Sequence, residues 1–304
     1  MNMYRWIEKM IYADEKKPMP ILSFPSVQLL CVTVKELVAD SNYQALGMKM
    51  LADKYDTAAA VSFMDLSVEA EAFGARCVYA ADEVPTIIGN IVKTEEEAER
   101  LKVPEVGAGR TGVCLEGIRK ALKLITDRPV FAGCIGPFSL AGRLMDVNEV
   151  MLYCYEEPDM VHTILRKVTD FLIAYILEYK KTGAHGIVMA EPLAGMLSPQ
   201  LMEEFSSAYV KEIVEKTQDQ GFVVIYHNCG NYVIQLIDQI LDTGCLIYHF
   251  GDSIDMKEMM QRIPKDCLAM GNVSPSAQFL NGTPSSVRIE TMRCWKIVKN
   301  FQTL

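Results

Sequence analysis

The chain has 304 residues, of which 50% are hydrophobic and 23% charged, with a formal net charge of −9. That length suits one large domain or two small ones and buries enough surface to need no disulfide help. Apolar content this high excludes a disordered chain, and no run of about eighteen uncharged apolar residues predicts a membrane span. Residues 1–17 mix charges with single apolar residues and lack a signal-peptide core. The acidic balance leaves no cation excess to neutralise phosphates, so no nucleic-acid partner is expected.

Candidate strands are short, almost unbroken apolar runs, as strands buried on both faces should be. In chain order they are Ile21–Phe24, Ala58–Phe63, Val130–Ile135, Gly186–Ala190, Phe222–Tyr226, Leu246–His249 and Cys267–Met270. Helical patterns lie between them. Asn148–Lys180 reads as one or two helices with a restart at Glu157-Pro158-Asp159, and Ser198-Pro199 opens another with a serine cap and a first-turn proline. Tyr232–Asp242 and Asp255–Arg262 follow, and Thr283-Pro284 starts a last helix reaching about Asn300. About twenty residues at the start form a helical extension on a single 1–304 domain. The alternation implies parallel strands with crossover helices, either a (β/α)8 barrel one strand short or an open doubly wound sheet.

Nine cysteines, an odd number, with no export signal argue against a disulfide framework and for a reducing cytoplasm. Cys134 and Cys267 sit in apolar runs and read as buried small hydrophobes.

In a barrel, chemistry gathers where strands end. Those positions hold Asp65, Gly136-Pro137, Glu191, the run His227-Asn228-Cys229-Gly230-Asn231, Asp252, and Asn272. Turn preference alone accounts for the glycines and Asn272, and less well for Asp65, Glu191 and His-x-Cys. His227 and Cys229 stand at i and i+2, so on an extended segment they point the same way and suit a borderline-soft ion such as zinc. The competing reading is a buried histidine bonded to a carbonyl. Glu191 reads as an oxygen ligand or base, or as a carboxylate capping a helix. Glu69 and Glu71 are expected on a helix facing solvent at least in part. His249 reads first as a satisfied near-surface histidine, with a site residue as the alternative, and His162 and His185 read as structural.

Taken together, FMDLSVEAEAFGA (63–75), GPFSLAGRL (136–144), EPLAGMLSPQLMEEF (191–205), HNCGN (227–231) and GNVSPSAQFLNGTPSSV (271–287) resemble the uroporphyrinogen decarboxylase superfamily in order and spacing. The resemblance runs from about residue 20 to the chain end and implies a TIM-type barrel. Asp65 matches the catalytic aspartate of the decarboxylase branch. That branch carries an arginine-rich motif where this chain reads ILSFPSVQLLC, without arginine, so polycarboxylate recognition would lack its charge-assisted partners. The other branch comprises zinc-dependent methyltransferases that take a methyl group from a methylated corrinoid (methylcobalamin-type) protein. They pass it to a thiol such as coenzyme M, or to tetrahydrofolate. His227-x-Cys229, EAEAFGA and NGTP resemble this branch more closely.

The methyltransferase resemblance implies His227 and Cys229 as zinc ligands, with Asp65 and Glu191 handling protons or orienting ligands. It further implies Gly136, Pro137, Asn231, Asn272 and Asp252 around the substrate. The implied partners are a corrinoid protein, a small methyl acceptor and, at an open barrel edge, a second copy of the chain. One departure stands out. The family's third ligand, a second cysteine, falls roughly seventy-five residues after His-x-Cys, just past Leu304, and Cys294 lies in the last helical pattern. The expectation is therefore a barrel lacking or truncating its eighth strand, with an incomplete zinc site. A decarboxylase using Asp65 and an inactive barrel that only binds a partner are the alternatives.

Overall fold

A computed structural model describes residues 1–21, 24–299 and 301. Its strands are β1 (Ala60–Val61), β2 (Cys77–Val78), β3 (Thr86–Ile87), β4 (Val130–Ile135), β5 (Gly186–Ala190), β6 (Val223–Asn228), β7 (Ile247–Phe250) and β8 (Leu268–Met270). Six of them form one sheet in the order β1-β4-β5-β6-β7-β8, and every pairing is parallel. Each strand pairs with the next in sequence, without the order reversal of a doubly wound sheet, so the barrel alternative holds. Strands β2 and β3 make a separate antiparallel hairpin inserted after β1, which the sequence did not announce. Residues 22 and 23 of the expected strand Ile21–Phe24 lie outside the described residues, and its ends Ile21 and Phe24 join no strand.

The two faces of the sheet carry different cores. Alternate residues on the concave face, among them Phe131, Val188, Ile225, Ile247 and Met270, form an inner cluster. The opposite set, including Ala132, Met189, Val224, Tyr226 and Tyr248, packs on the outer helices. This is the period-two alternation of a barrel wall with apolar contacts on both sides.

The helix Met3–Ile11 buries Met3, Trp6 and Ile7 in the inner cluster, with Trp6 5.9 Å from the Phe131 ring. Asn2 caps it, and the Met3 N–H donates to the Gln220 carbonyl at 2.7 Å, just before β6 begins. The start of the chain therefore plugs the N-terminal end of the barrel.

The stretch 148–180 resolves into helices Val147–Glu156 and Pro158–Thr182, split where Pro158 cannot donate to a preceding turn. Ser198 caps its helix through Oγ, which accepts from the Leu201 N–H at 3.3 Å. That helix then loosens into a π turn at Glu203–Ser207 before continuing as Ala208–Thr217. The region 232–242 divides into a 3-10 turn, Val233–Leu236, and a short helix, Ile237–Asp242. Thr283 caps the last helix, Pro284–Val298; its expected end at Asn300 lies outside the described residues. All nine cysteines are free, with Cys134 and Cys267 buried. Among the described residues no helix is long and apolar enough to cross a membrane.

Candidate active site

His227 and Cys229 stand at the C-terminal end of β6. His227 follows the inner-face residues Val223 and Ile225 by four and two positions, so its ring enters the lumen. His249 does the same on β7, directly opposite His227 in the register. The two rings stack with centroids 4.6 Å apart and planes at 29°. His249 is thus a lumen residue, not the near-surface histidine expected. Burial holds the His227 pKa below its usual value, and burial plus the facing His227 pushes His249 down to about 3, so both rings are neutral. His227 Nδ1 lies 3.3 Å from the His249 carbonyl. A carbonyl only accepts, so Nδ1 carries the hydrogen and the lone pair sits on Nε2. Cys229 is exposed; partial desolvation, with the charge of Asp252 nearby, raises its thiol pKa.

Glu191 ends β5 and is fully buried. Its Oε1 accepts from the Phe138 N–H at 2.7 Å and from Ser206 Oγ at 3.1 Å, and Oε2 accepts from the Ser139 N–H at 3.1 Å. Those amides open the helix Pro137–Met145, where orphan N–H groups favour an anion. Of the two sequence readings, ligand or cap, the geometry is that of the cap, with no face toward the lumen. Burial still raises its pKa to about 7 against these hydrogen bonds. Gly136 leaves room for the carboxylate, since a side chain there would collide with Glu191 Oε2, and Pro137 is the first helical residue. Both residues serve the helix start. Asn228, buried between them and His227, donates to the Glu191 carbonyl at 2.9 Å and accepts from the Gly230 N–H at 2.9 Å.

Asp65, beyond β1, forms a buried ion pair with Arg110 Nη1 and accepts from the Ser67 N–H at 3.0 Å and Ser67 Oγ at 2.6 Å. Arg110 also donates through Nε to Glu71 at 2.7 Å and through Nη2 to Ser67 Oγ at 2.8 Å, and its guanidinium lies 5.0 Å from the centre of the Tyr79 ring. The Tyr79 hydroxyl donates in turn to Glu71, tying the β2–β3 hairpin to the end of β1. Sequence spacing gave no signal for Arg110, which lies 45 residues from its partner. Glu69, expected at least partly in solvent, is 1% exposed: its five-residue helix, Val68–Ala72, presses that side against β4. Glu71 is half-buried, nearer the expectation.

The structure therefore brings together His227, His249, Cys229 and Asp252 at the ends of β6 and β7. It sets Glu191 behind β5 and Asp65 in a separate cluster. Asn231 and Asp252 are exposed on the rim. Asn272 braces two loops, donating to the carbonyls of Gly251 at 2.6 Å and Ile254 at 2.9 Å. For zinc, the chemistry of His227 and Cys229 is right, yet no group of three or more His, Cys, Asp or Glu able to hold a metal exists among the described residues. The pair is half of a site. Cys294 contacts the Asn272 carbonyl at 3.3 Å and does not complete it.

A parallel sheet curled around a plugged lumen, with ionisable groups gathered where its strands end, defines a TIM-type barrel. The profile of the family described as uroporphyrinogen decarboxylase (URO-D) matches residues 30–302, and the chain belongs to that family. A methylcobamide:CoM methyltransferase, MtbA, of Methanosarcina acetivorans is 30% identical over an alignment of 313 residues, 94% of this chain and 88% of that protein. A uroporphyrinogen decarboxylase of Chlorobium phaeobacteroides is 26% identical over 283 residues, 90% of this chain and 76% of that one. A solved methyltransferase from Methanosarcina mazei covers 99% of this chain and 90% of its own with a TM-score of 0.87, at 20% identity, a likeness of fold.

Proposed function

We propose that this protein transfers a methyl group from a methylated corrinoid, carried by a partner protein, to a small acceptor, a thiol of the coenzyme M type or tetrahydrofolate. The observation that carries this reading is the pair His227 and Cys229 at the open end of the lumen, in a chain 30% identical to a methylcobamide:CoM methyltransferase. With a thiol acceptor, sulfur attacks the methyl carbon, the carbon–cobalt bond breaks with its electron pair left on cobalt, and the thiol proton leaves. With Nδ1 engaged by the His249 carbonyl, His227 offers Nε2 as an acceptor that orients the thiol, and the proton passes to water at the open end. The His249 carbonyl holds the ring, and Asn228 fixes the β6 end against Glu191, so Glu191 and Asn228 are positioning residues. Asp65, sealed by Arg110, shapes the wall beside β1. A bound zinc ion would stabilise an acceptor thiolate. The described residues offer it two donors, and no step is assigned to it here.

The test is demethylation of methylcobalamin in the presence of coenzyme M, tetrahydrofolate or homocysteine, followed by the change in corrinoid absorbance. Turnover with one acceptor, lost in His227→Ala, supports the reading; a folded protein inert with all three sinks it. The decarboxylase reading draws on the family and on Asp65, and loss of carboxylate from uroporphyrinogen in a parallel incubation would favour it.

A further inference from the structure

Behind the barrel wall, between β1, β4 and the helices Thr111–Leu124 and Pro158–Thr182, lies a small cavity lined by Asp65, Glu69, Cys114, Cys134, Tyr175 and Tyr179. Glu69 points into it. Its Oε1 accepts one hydrogen bond, from the Ile135 N–H at 3.2 Å, and its Oε2 is buried with no hydrogen-bond partner among the described residues. The lining offers no compensating charge. Tyr175 and Tyr179 bond to each other at 2.6 Å. Burial raises the pKa of Cys114 to about 12 and drives that of Cys134 well above its usual value, so both are neutral thiols. Arg110 is the one cation in the cluster, and Asp65, Glu71 and Ser67 already engage it.

We propose that Glu69 is a stored acid: a neutral, protonated carboxyl group that hydrogen-bonds to water in this cavity, beside the Asp65–Arg110 ion pair. The geometry favours this assignment over an ionised Glu69. A second anion beside Asp65 would draw only on backbone N–H groups, its own and that of Ile135, and on a guanidinium already paired elsewhere. A protonated Oε2 instead becomes a donor, and the small cavity beside it has space for about one water to accept from it. The pKa of Glu69 points the same way: burial, with a smaller push from Asp65, raises it from 4.5 to about 8. The group lies behind the wall from His227 and Cys229, so the proposal stands whether or not the methyl-transfer reading does.

The experiment compares wild type with Glu69→Gln, which copies the neutral acid in shape and cannot titrate. A group whose folded pKa is raised stabilises fully below its unfolded pKa, and that contribution is lost as pH rises toward the folded pKa. From pH 4.5 to about 8 the wild-type folding constant should therefore fall relative to Glu69→Gln by nearly tenfold per pH unit. The infrared carbonyl band of a protonated carboxylic acid should be present in wild type at neutral pH and missing in the variant. Asp65→Asn should move the disappearance of that band to lower pH, because it removes a neighbouring negative charge. Parallel stability profiles, or no acid band assignable to Glu69, would overturn the proposal. The band titration needs only folded wild type and so decides the matter even if a variant does not fold.

Discussion

The imidazoles of His227 and His249 face each other across two parallel strands, 4.6 Å between centroids, and among the described residues neither has a counter-ion. A proton on either would put a charge into a desolvated lumen beside the other ring. The first prediction follows from the sign of that shift. With the folded pKa depressed from 6.5 to about 3, His249 contributes stability above pH 6.5 that is lost as pH falls toward 3. Replacing it by phenylalanine keeps the stack and removes the proton site. Wild type should lose about 2 kcal/mol relative to His249→Phe between roughly pH 7 and pH 5, read as urea midpoints. An unchanged difference would mean that His249 titrates normally.

Arg110 serves three acceptors on a fixed fork, which a lysine cannot copy. Arg110→Lys should retain the charge yet leave Glu71 or Ser67 without its donor, costing about 1–3 kcal/mol. Arg110→Ala strands Asp65 as an uncompensated buried anion and should cost about 3–5 kcal/mol. Equilibrium denaturation separates the two. Amide exchange across 77–87 should speed up in both, since the Tyr79 contacts of the hairpin loosen.

Gly195 and Gly230 bring the loops after β5 and β6 into backbone contact. A Cβ on Gly230 would stand 2.8 Å from the Gly195 Cα and 2.9 Å from its carbonyl oxygen, atoms that cannot swing aside. Gly230→Ala should destabilise by about 1–3 kcal/mol and shift Cys229, one residue away. Unchanged stability together with an unchanged rate of Cys229 alkylation would contradict this.

The half-complete donor set gives a prediction about metal. Zinc added to the protein should bind weakly, leave with a modest excess of chelator, and not bind in Cys229→Ser. One zinc per chain that resists chelator would mean a third donor beyond those described.

The strands from Val130 to Met270 were legible because each is an apolar run ending in polar residues, and a buried parallel strand has no other way to look. The place of His227 and Cys229 at a strand end was legible for the same reason. The hairpin was not: its strands are two residues each, too short for an alternation to register. Glu69 was misplaced because five helical residues, little more than one turn, do not define a face from sequence. Arg110 was missed because a buried ion pair between distant segments leaves no local spacing to read. Glu191 stood at a strand end as expected, and the start of the helix after the neighbouring β4 claimed its carboxylate, a matter of which side of the wall a residue faces.

The helix Met3–Ile11, packed with Phe131, Val188 and Ile225, closes the N-terminal end of the lumen. Traffic along the barrel axis then uses the mouth at the strand ends, where His227 and Cys229 stand. In the transfer proposed above, a macromolecular donor seated on the rim would seal the acceptor in or out. The small acceptor must enter first, and the spent partner must lift away before the methylated product escapes. Entry along that axis alone predicts an ordered sequential kinetic pattern, with the acceptor as leading substrate and the spent partner a competitor of its methylated form. Opening the floor by Trp6→Ala would admit water at the other end and relax that order along with the fold.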